Sequence, residues 1–574
     1  MADFSLAIAP VPAQAAPGGG CCQISASSMH AAETPGAQSG PSVYLETFGC
    51  QMNELDSQLV TSQLRGLGYR FTADWKTADV ILYNTCSIRE QAENKALSRV
   101  GLVGELKLER PGIVLGVMGC MAERDGADMI RRHPQIDVLC GPGDLDKMPM
   151  LIDNIRKTRI SDRPFALRAR HEKGFAKAAQ IALQGDTTRR SATLSAAEDT
   201  LEALDLSRSF TPGESGAVGE DGALLGNPRS AYVRITRGCN KFCTYCVVPN
   251  TRGAEVHRHP DAIVEECRKL AESGVIEITL LGQTVNHYHY DLAQAVRGEG
   301  GYWQPQVGTV ISPNRGTGGP SPVFSPTTTS FAQLLRRIHD EVPALLRLRF
   351  VTSYPRDFGD DILETIRDCP RICRYIHLPV QSGSDRVLAR MNRGYRTAQY
   401  RDLIERVRRH LPDAELATDI IVGYPGETEE DFAETVELMR FCRFKNSYIF
   451  KYSPRPGTAA FGIVDDVPDE TKKARNQALL ALQNEIGIEV NRAYPGKTVE
   501  VLVEAVSRRG QKAANAAAAN VTLGWSKPEE TTQLTGRTKG DIIVLFDGDP
   551  SLVGRIVPVK IERAAPLALF GTLA

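Results

Sequence analysis

Three cysteines, Cys239, Cys243 and Cys246, lie in the string RGCNKFCTYC with the spacing C-x3-C-x2-C. Three thiolates can hold three irons of a four-iron cluster, whose usual set is four. No fourth cysteine follows nearby; the next, Cys267, falls inside a helical pattern. The spacing therefore leaves one iron for a small molecule, and an open iron implies chemistry rather than electron storage alone. The competing reading is zinc, which in structural sites takes four closed ligands, usually in two pairs. His257 and His259 follow within reach and could complete such a tetrahedron.

A second set of thiols is spread over the first part of the chain. SVYLETFGC ends at Cys50, DVILYNTC at Cys86 and GIVLGVMGC at Cys120, and each run leads into a helical pattern. Short β-rich runs alternating with helices predict a parallel sheet. In such sheets ligands bind outside the carboxyl ends of strands, where all three cysteines fall. Any one of them alone reads as a small buried hydrophobe; their matching positions predict a second cluster site. Cys140 in VLCGPGD reads as structural, as do Cys267, Cys369, Cys373 and Cys442, and the vicinal Cys21 and Cys22 read as incidental thiols.

The elements that must position these groups form an α/β protein of several domains. The chain has 574 residues, 42% hydrophobic and 24% charged, with net charge −1, which excludes a molecule that binds nucleic acid by bulk charge. Thirteen cysteines in so long a chain read as reduced thiols and metal ligands, not a disulfide scaffold. No run is apolar enough to span a membrane and no signal peptide is recognisable, so a reducing cytoplasm is expected. Residues 1–41, rich in Ala, Gly, Pro and Ser, read as a disordered tail. Residues 42–155 form the N-terminal parallel α/β domain, and 156–230 a polar linker with one helix around 195–206. Residues 231–480 repeat β/α units and predict a partial barrel of parallel strands, interrupted by a surface insertion at 292–329. From Tyr494 the chain turns to short β-rich runs with Gly turns, predicting a small antiparallel β-barrel over 494–565. Ten Lys/Arg against eight Asp/Glu give this last part a mild basic bias.

RGCNKFCTYCVVPNTRG, LLGQTVNHY, HLPVQSGSDRVLARMNRGY, DIIVGYPGETEEDF and YSPRPGTAA resemble the radical-SAM methylthiotransferases. LTGRTKGDIIVLF and LVGRIVPVKI resemble a TRAM domain, an RNA-binding barrel. The resemblance covers roughly 42–155, 231–480 and 494–565. It implies that Cys239, Cys243 and Cys246 hold a 4Fe-4S cluster that binds S-adenosyl-L-methionine, and that Cys50, Cys86 and Cys120 hold a second, auxiliary 4Fe-4S cluster. The implied reaction replaces an adenine C–H of tRNA by C–S–CH3 next to the anticodon. One S-adenosylmethionine supplies a radical and another the methyl group. The forms RGCNKFCTYC and SPRPGTAA point to the branch acting at carbon two of N6-isopentenyladenosine; the threonylcarbamoyl-adenosine branch is the alternative. A reducing electron donor, a sulfur donor and a monomeric state are further expectations. A non-catalytic two-cluster electron carrier and a zinc-dependent RNA-binding protein are the readings from other classes.

Secondary residues divide between function and packing. Tyr245 corresponds to a position beside the cofactor's adenine in this superfamily, or packs behind the cluster. Gln283 and Asn286 end a strand and face cofactor or substrate, or shape a turn. GYPGE at 423–427 lacks the Lys-Ser/Thr of a phosphate loop; it approaches the cofactor's amino-acid or ribose part, or is an ordinary turn. Arg237, Arg252, Lys451 and Arg455 flank the expected mouth and could contact tRNA phosphates, or are ordinary surface charges.

Overall fold

A computed structural model describes residues 40–87, 90–158, 179–183, 200–208, 217–218, 229–298, 301–308, 326–507 and 532–574. The tail expectation, apart from residues 40 and 41, and Cys21 and Cys22 lie outside the described residues.

The apolar runs that end in Cys50, Cys86 and Cys120 become the strands Ser42–Thr47, Val80–Thr85 and Val114–Gly119. They are neighbours in one parallel sheet, with Val138–Cys140 and Gln180–Ala182 beyond them and Arg70–Phe71 on the other side. Both faces are buried: Leu45, Leu82 and Val114 pack into one apolar cluster, and Tyr44, Ile81 and Leu115 into another. That is why these strands read as continuous apolar runs rather than alternating ones. The stretch read as a linker contributes structure of its own. Gln180–Ala182 extends the sheet, Ala217–Val218 pairs with Ser42–Thr47, and Thr200–Ser207 is a helix. Edge strands of two or three residues are held by backbone pairing and carry no hydrophobic period to read.

Six parallel strands follow in two sets. Ser230–Arg234, Glu277–Leu281 and Arg347–Phe350 pair in order, as do Tyr375–His377, Glu415–Val422 and Asn446–Lys451. A bridge between Leu348 and Ile372 links the sets into a partial barrel. Amphipathic helices such as Phe331–Glu341, opened by a Ser330/Gln333 capping box, pack their apolar faces onto the strands.

The helix Asp469–Asn491 crosses from this core, into which Leu479, Leu482 and Ile486 pack, to the last unit. There, Thr498–Val506, Thr532–Arg537, Ile543–Gly548, Ile556–Ala564 and Ala568–Leu573 close into a barrel. The expected all-antiparallel barrel over 494–565 is corrected in one respect. Its closing strand is Ala568–Leu573, beyond 565, and pairs parallel with Ile543–Gly548. Closure needs a strand between two neighbours, and removes the exposed edges an open sheet would carry. The barrel is anchored by two arginines of one partial-barrel strand. Arg347 donates to the carbonyls of Arg537 (2.8 Å) and Glu500 (3.0 Å), and Arg349 to that of Thr538 (2.6 Å). Among the described residues no helix is long and apolar enough to cross a membrane.

Candidate active site at two cysteine triads

The loop RGCNKFCTYC leaves the strand Ser230–Arg234 through the short strand Thr236–Arg237. Gly238 turns it with φ +70°, and a Cβ there would stand 2.0 Å from the carbonyl oxygen of Ala254, so only glycine fits. Backbone bonds fix the loop: Cys239 N–H donates to Gly253 O (3.2 Å), Thr244 N–H to Met391 O (3.1 Å) and Cys246 N–H to Cys243 O (3.0 Å). Cys239 is buried, while Cys243 and Cys246 are half-buried. Burial raises the Cys239 thiol well above its usual range, with Glu255 and the other two thiols acting the same way. Burial, then Cys243, pushes Cys246 up to about 12. Thiols such as Cys239 and Cys246, which resist ionisation alone, lose their protons to a bound cation, whose charge supplies what the site lacks.

Arg393 completes this site; it lies in the run HLPVQSGSDRVLARMNRGY, where the sequence reading singles out no site residue. Its buried guanidinium donates to the Cys243 sulfur (3.4 Å) and the Tyr245 hydroxyl (3.3 Å), and to Pro379 O (2.6 Å). Tyr245 is thereby fixed beside the loop.

The other triad forms at the strand ends. Cys50 caps the helix Gln51–Gly66, Cys86 follows its strand directly, and Cys120 starts the helix Cys120–Asp125. A Cβ on Gly49 would stand 2.5 Å from Cys86 Cβ, so the first two turns touch. A buried amide web ties the strand ends together: Asn53 Nδ2 donates to Asn84 Oδ1 (2.8 Å) and Thr85 O (3.0 Å), and Asn84 Nδ2 to Asn53 O (2.7 Å). A hydrogen bond with Cys86 draws the Cys50 thiol down to about 6 against its burial, and Arg252 acts in the same direction. Burial raises the Cys120 thiol, with Arg252 opposing. The two triads are close: the Cys120 and Cys246 thiols feel one another's charge, and the helix Val248–Thr251 packs on Cys120–Asp125.

Arg252 is a correction to the expected tRNA contacts. It is buried and donates to Asp56 Oδ2 (2.7 Å), so it joins the loop region to the N-terminal sheet. Arg455 is likewise bound to Glu93 of the N-terminal domain, with its side chain 11% exposed. Lys451 pairs at the surface with Asp469 (3.2 Å), and Arg237 is half-buried. Asn286 clamps the backbone of Tyr354 through both amide atoms (2.7 and 2.9 Å), which is a packing role. In GYPGE, Glu427 accepts from Gly423 N–H (2.6 Å) and Arg475 (2.7 Å), closing the loop on itself. Cys369 and Cys373 are buried and Cys140 donates to Asp144 O (3.2 Å), as expected of structural thiols. His259 turns away from the cysteines: its Nδ1 accepts from Asp261 N–H (3.1 Å) and its ring stacks on Trp303.

A cavity of about 640 Å³ opens beside the second triad. Alternate residues of the barrel strands line it, among them Tyr232, Thr279, Arg349 and His377. Cys50, Cys86 and Gln283 border it, and Glu504, Arg537 and Asp541 of the closed barrel form part of its wall. All three structural units therefore contribute to one chamber.

Residues 42–141 match the family described as Uncharacterized protein family UPF0004, 233–439 the Radical SAM superfamily, and 526–574 the TRAM domain. A protein of Rhodopirellula baltica called tRNA-2-methylthio-N(6)-dimethylallyladenosine synthase is 41% identical, over 92% of this chain and 95% of its own length. Proteins of the same name from Thermus thermophilus and Opitutus terrae are 38% and 36% identical, over 94% and 92% of this chain and 94% and 97% of theirs. The chain belongs to the tRNA-2-methylthio-N(6)-dimethylallyladenosine synthase family. The three matched regions of this synthase family fall on the N-terminal sheet, the partial barrel and the closed barrel. A Radical SAM match implies a 4Fe-4S cluster and S-adenosylmethionine.

Proposed function

We propose that the chain is a radical-SAM tRNA methylthiotransferase that adds a methylthio group at carbon two of N6-dimethylallyladenosine (isopentenyladenosine) next to the anticodon. The observation that carries this reading is the pair of cysteine triads, each of three thiols, drawn from adjoining domains, with Cys50 and Cys86 of the second triad on the wall of one chamber. The matching name of the relatives supports the choice of the dimethylallyl substrate over the threonylcarbamoyl one.

In this reading Cys239, Cys243 and Cys246 hold the cluster that binds S-adenosylmethionine, and Cys50, Cys86 and Cys120 hold an auxiliary 4Fe-4S cluster. Those groups supply reductive cleavage of the cofactor and sulfur for the adenine carbon, chemistry that an ordinary general base cannot start from an unacidic aromatic C–H. The chain's own residues do the positioning. Arg393 holds Tyr245 against the loop, where the phenol ring forms a wall for the cofactor's adenine. Arg252 and Asp56 clamp the two triads' domains, so that cofactor and acceptor carbon meet at a fixed separation. Such positioning is worth on the order of 7 kcal/mol or more at best. The closed barrel grips tRNA beside the chamber, a reducing donor and a sulfur donor serve the two clusters, and the free thiols suit a reducing compartment.

The test is nucleoside analysis of tRNA from cells with and without this protein. Loss of the methylthio group with accumulation of N6-dimethylallyladenosine is expected. Unchanged methylthio nucleoside in cells that lack the protein and any second member of its family would overturn the proposal.

A further inference from the structure

Behind the first cysteine loop lies a group of histidines that the proposed reaction does not use. His257 ends the strand Val256–His257, His287 closes the 3-10 turn Val285–His287, and His289 opens the strand His289–Asp291. One ring nitrogen from each lies within 4.8 Å of the others, the span of ligands around a single ion. The rings are 4.4 to 6.1 Å apart between centroids.

The surroundings have the form of a metal site's outer layer. His287 Nδ1 is held by Glu255 Oε2 (2.8 Å) and His289 Nδ1 by the carbonyl of His287 (2.8 Å). Ligating histidines are oriented in this way, one nitrogen engaged by a carboxylate or carbonyl and the other aimed at the ion. Glu255 is itself fixed, accepting from Thr284 Oγ1 (2.6 Å). Inside, His287 Nε2 and both ring nitrogens of the wholly buried His257 make no hydrogen bond among the described residues. A buried donor or acceptor left unsatisfied is destabilising, so this cluster is costly unless something ligates it. A Cβ on Gly308 would stand 2.6 Å from His257 Nε2, so the polar insertion returns to cover the ring with the one residue that leaves it room.

We propose that His257, His287 and His289 bind one divalent ion of the zinc class, with Glu255 orienting His287. Three imidazoles suit such a borderline ion better than calcium or magnesium, which prefer oxygen. The ion braces the first cysteine loop from behind. Asn240, next to Cys239, accepts from Glu255 N–H (3.0 Å) and donates to Gly308 O (3.0 Å), while Gly308 N–H donates to Glu255 O (2.8 Å). Fixing the histidines thus fixes the insertion and the residue beside the first thiol together.

The experiment is elemental analysis and zinc-edge X-ray absorption on the full chain, purified anaerobically and then equilibrated with one equivalent of zinc. The expected result is about one zinc per chain, with nitrogen neighbours at about 2.0–2.1 Å and no sulfur at about 2.3 Å. His257→Gln and, independently, His289→Gln should each remove the zinc and leave the iron content unchanged. If His257→Gln fails to fold, His289→Gln alone decides. No zinc in the parent protein, zinc bound to sulfur, or zinc retained in the His289→Gln protein would each overturn the proposal. None of these readouts depends on methylthio transfer.

Discussion

Glu202→Ala should loosen the helix Thr200–Ser207 far more than the loss of one side chain suggests. Glu202 lies in a buried network with Asp205 and Glu266 against Arg208, Arg234 and Arg258. Arg258 donates to both Glu202 oxygens at 2.6 and 2.7 Å, and the two side chains are 2% and 1% exposed. Three acids balance three arginines, so removing one carboxylate leaves a net positive charge away from water. Breaking a buried pair from one side costs about 3–5 kcal/mol. Arg258 keeps Glu266 at 2.7 Å and Arg234 O at 2.6 Å, which puts the cost near the lower end, about 3 kcal/mol. Local opening of the helix should then rise roughly a hundredfold, read as faster amide hydrogen exchange over 200–208. Glu202→Met with Arg258→Met removes one charge of each sign and should recover most of the loss. Exchange in Glu202→Ala within about threefold of the parent, or a double variant whose loss is the sum of the two single losses, would refute the charge-balance argument.

Cys243→Ala should abolish formation of 5′-deoxyadenosine from S-adenosylmethionine under anaerobic reduction; full retention would remove the loop from the proposed cluster. Cys86→Ala should keep that cleavage but lose methylthio product, assayed on tRNA, if the two triads serve separable steps. Asp56→Ala strands the buried Arg252 and should cost about 3–5 kcal/mol in thermal or denaturant unfolding, whereas breaking the exposed pair of Lys473 and Glu470 should leave unfolding nearly unchanged. Gly383→Ala puts a Cβ 2.4 Å from the Cα of Thr435 and should destabilise the contact with the helix Glu429–Cys442 by about 1–3 kcal/mol, measured the same way. For Asp431, burial raises the carboxyl, but hydrogen bonds from Arg386, Ser384 and Thr428 outweigh it and hold it well below the usual carboxylate range. Its folded value is thus depressed, so its contribution is fully present above about pH 4 and fades as pH falls further. Asp431→Asn should flatten the acid limb of stability against pH; an unchanged limb would contradict the assignment.

What the sequence revealed depended on how far apart the partners stand. The loop cysteines are readable because eight consecutive residues contain all three. Cys50, Cys86 and Cys120 are readable because each ends a strand, and parallel strands bring their ends to one edge. Arg252 was misread as a surface contact because its partner, Asp56, is 196 residues away. The same distance hid Arg393, which reaches Cys243 across 150 residues. The helix expected around 195–206 runs over Thr200–Ser207, and its buried charges, which the sequence did not mark, anchor it together with Leu204. Of the two histidines that the loop spacing suggested, His257 does join a ligand-like group, but with His287 and His289; His259 instead stacks on Trp303.

Arg347 and Arg349 weld the terminal barrel to the partial barrel chiefly by gripping main-chain carbonyls, contacts that most substitutions on the barrel's surface leave intact, with one ion pair from Arg349 to Asp541 (3.6 Å) beside them. The loops and exterior of that barrel are therefore free to diverge while its offset from the chamber stays constant. On the proposed function, an RNA held by both would meet a ruler whose length these carbonyl contacts set.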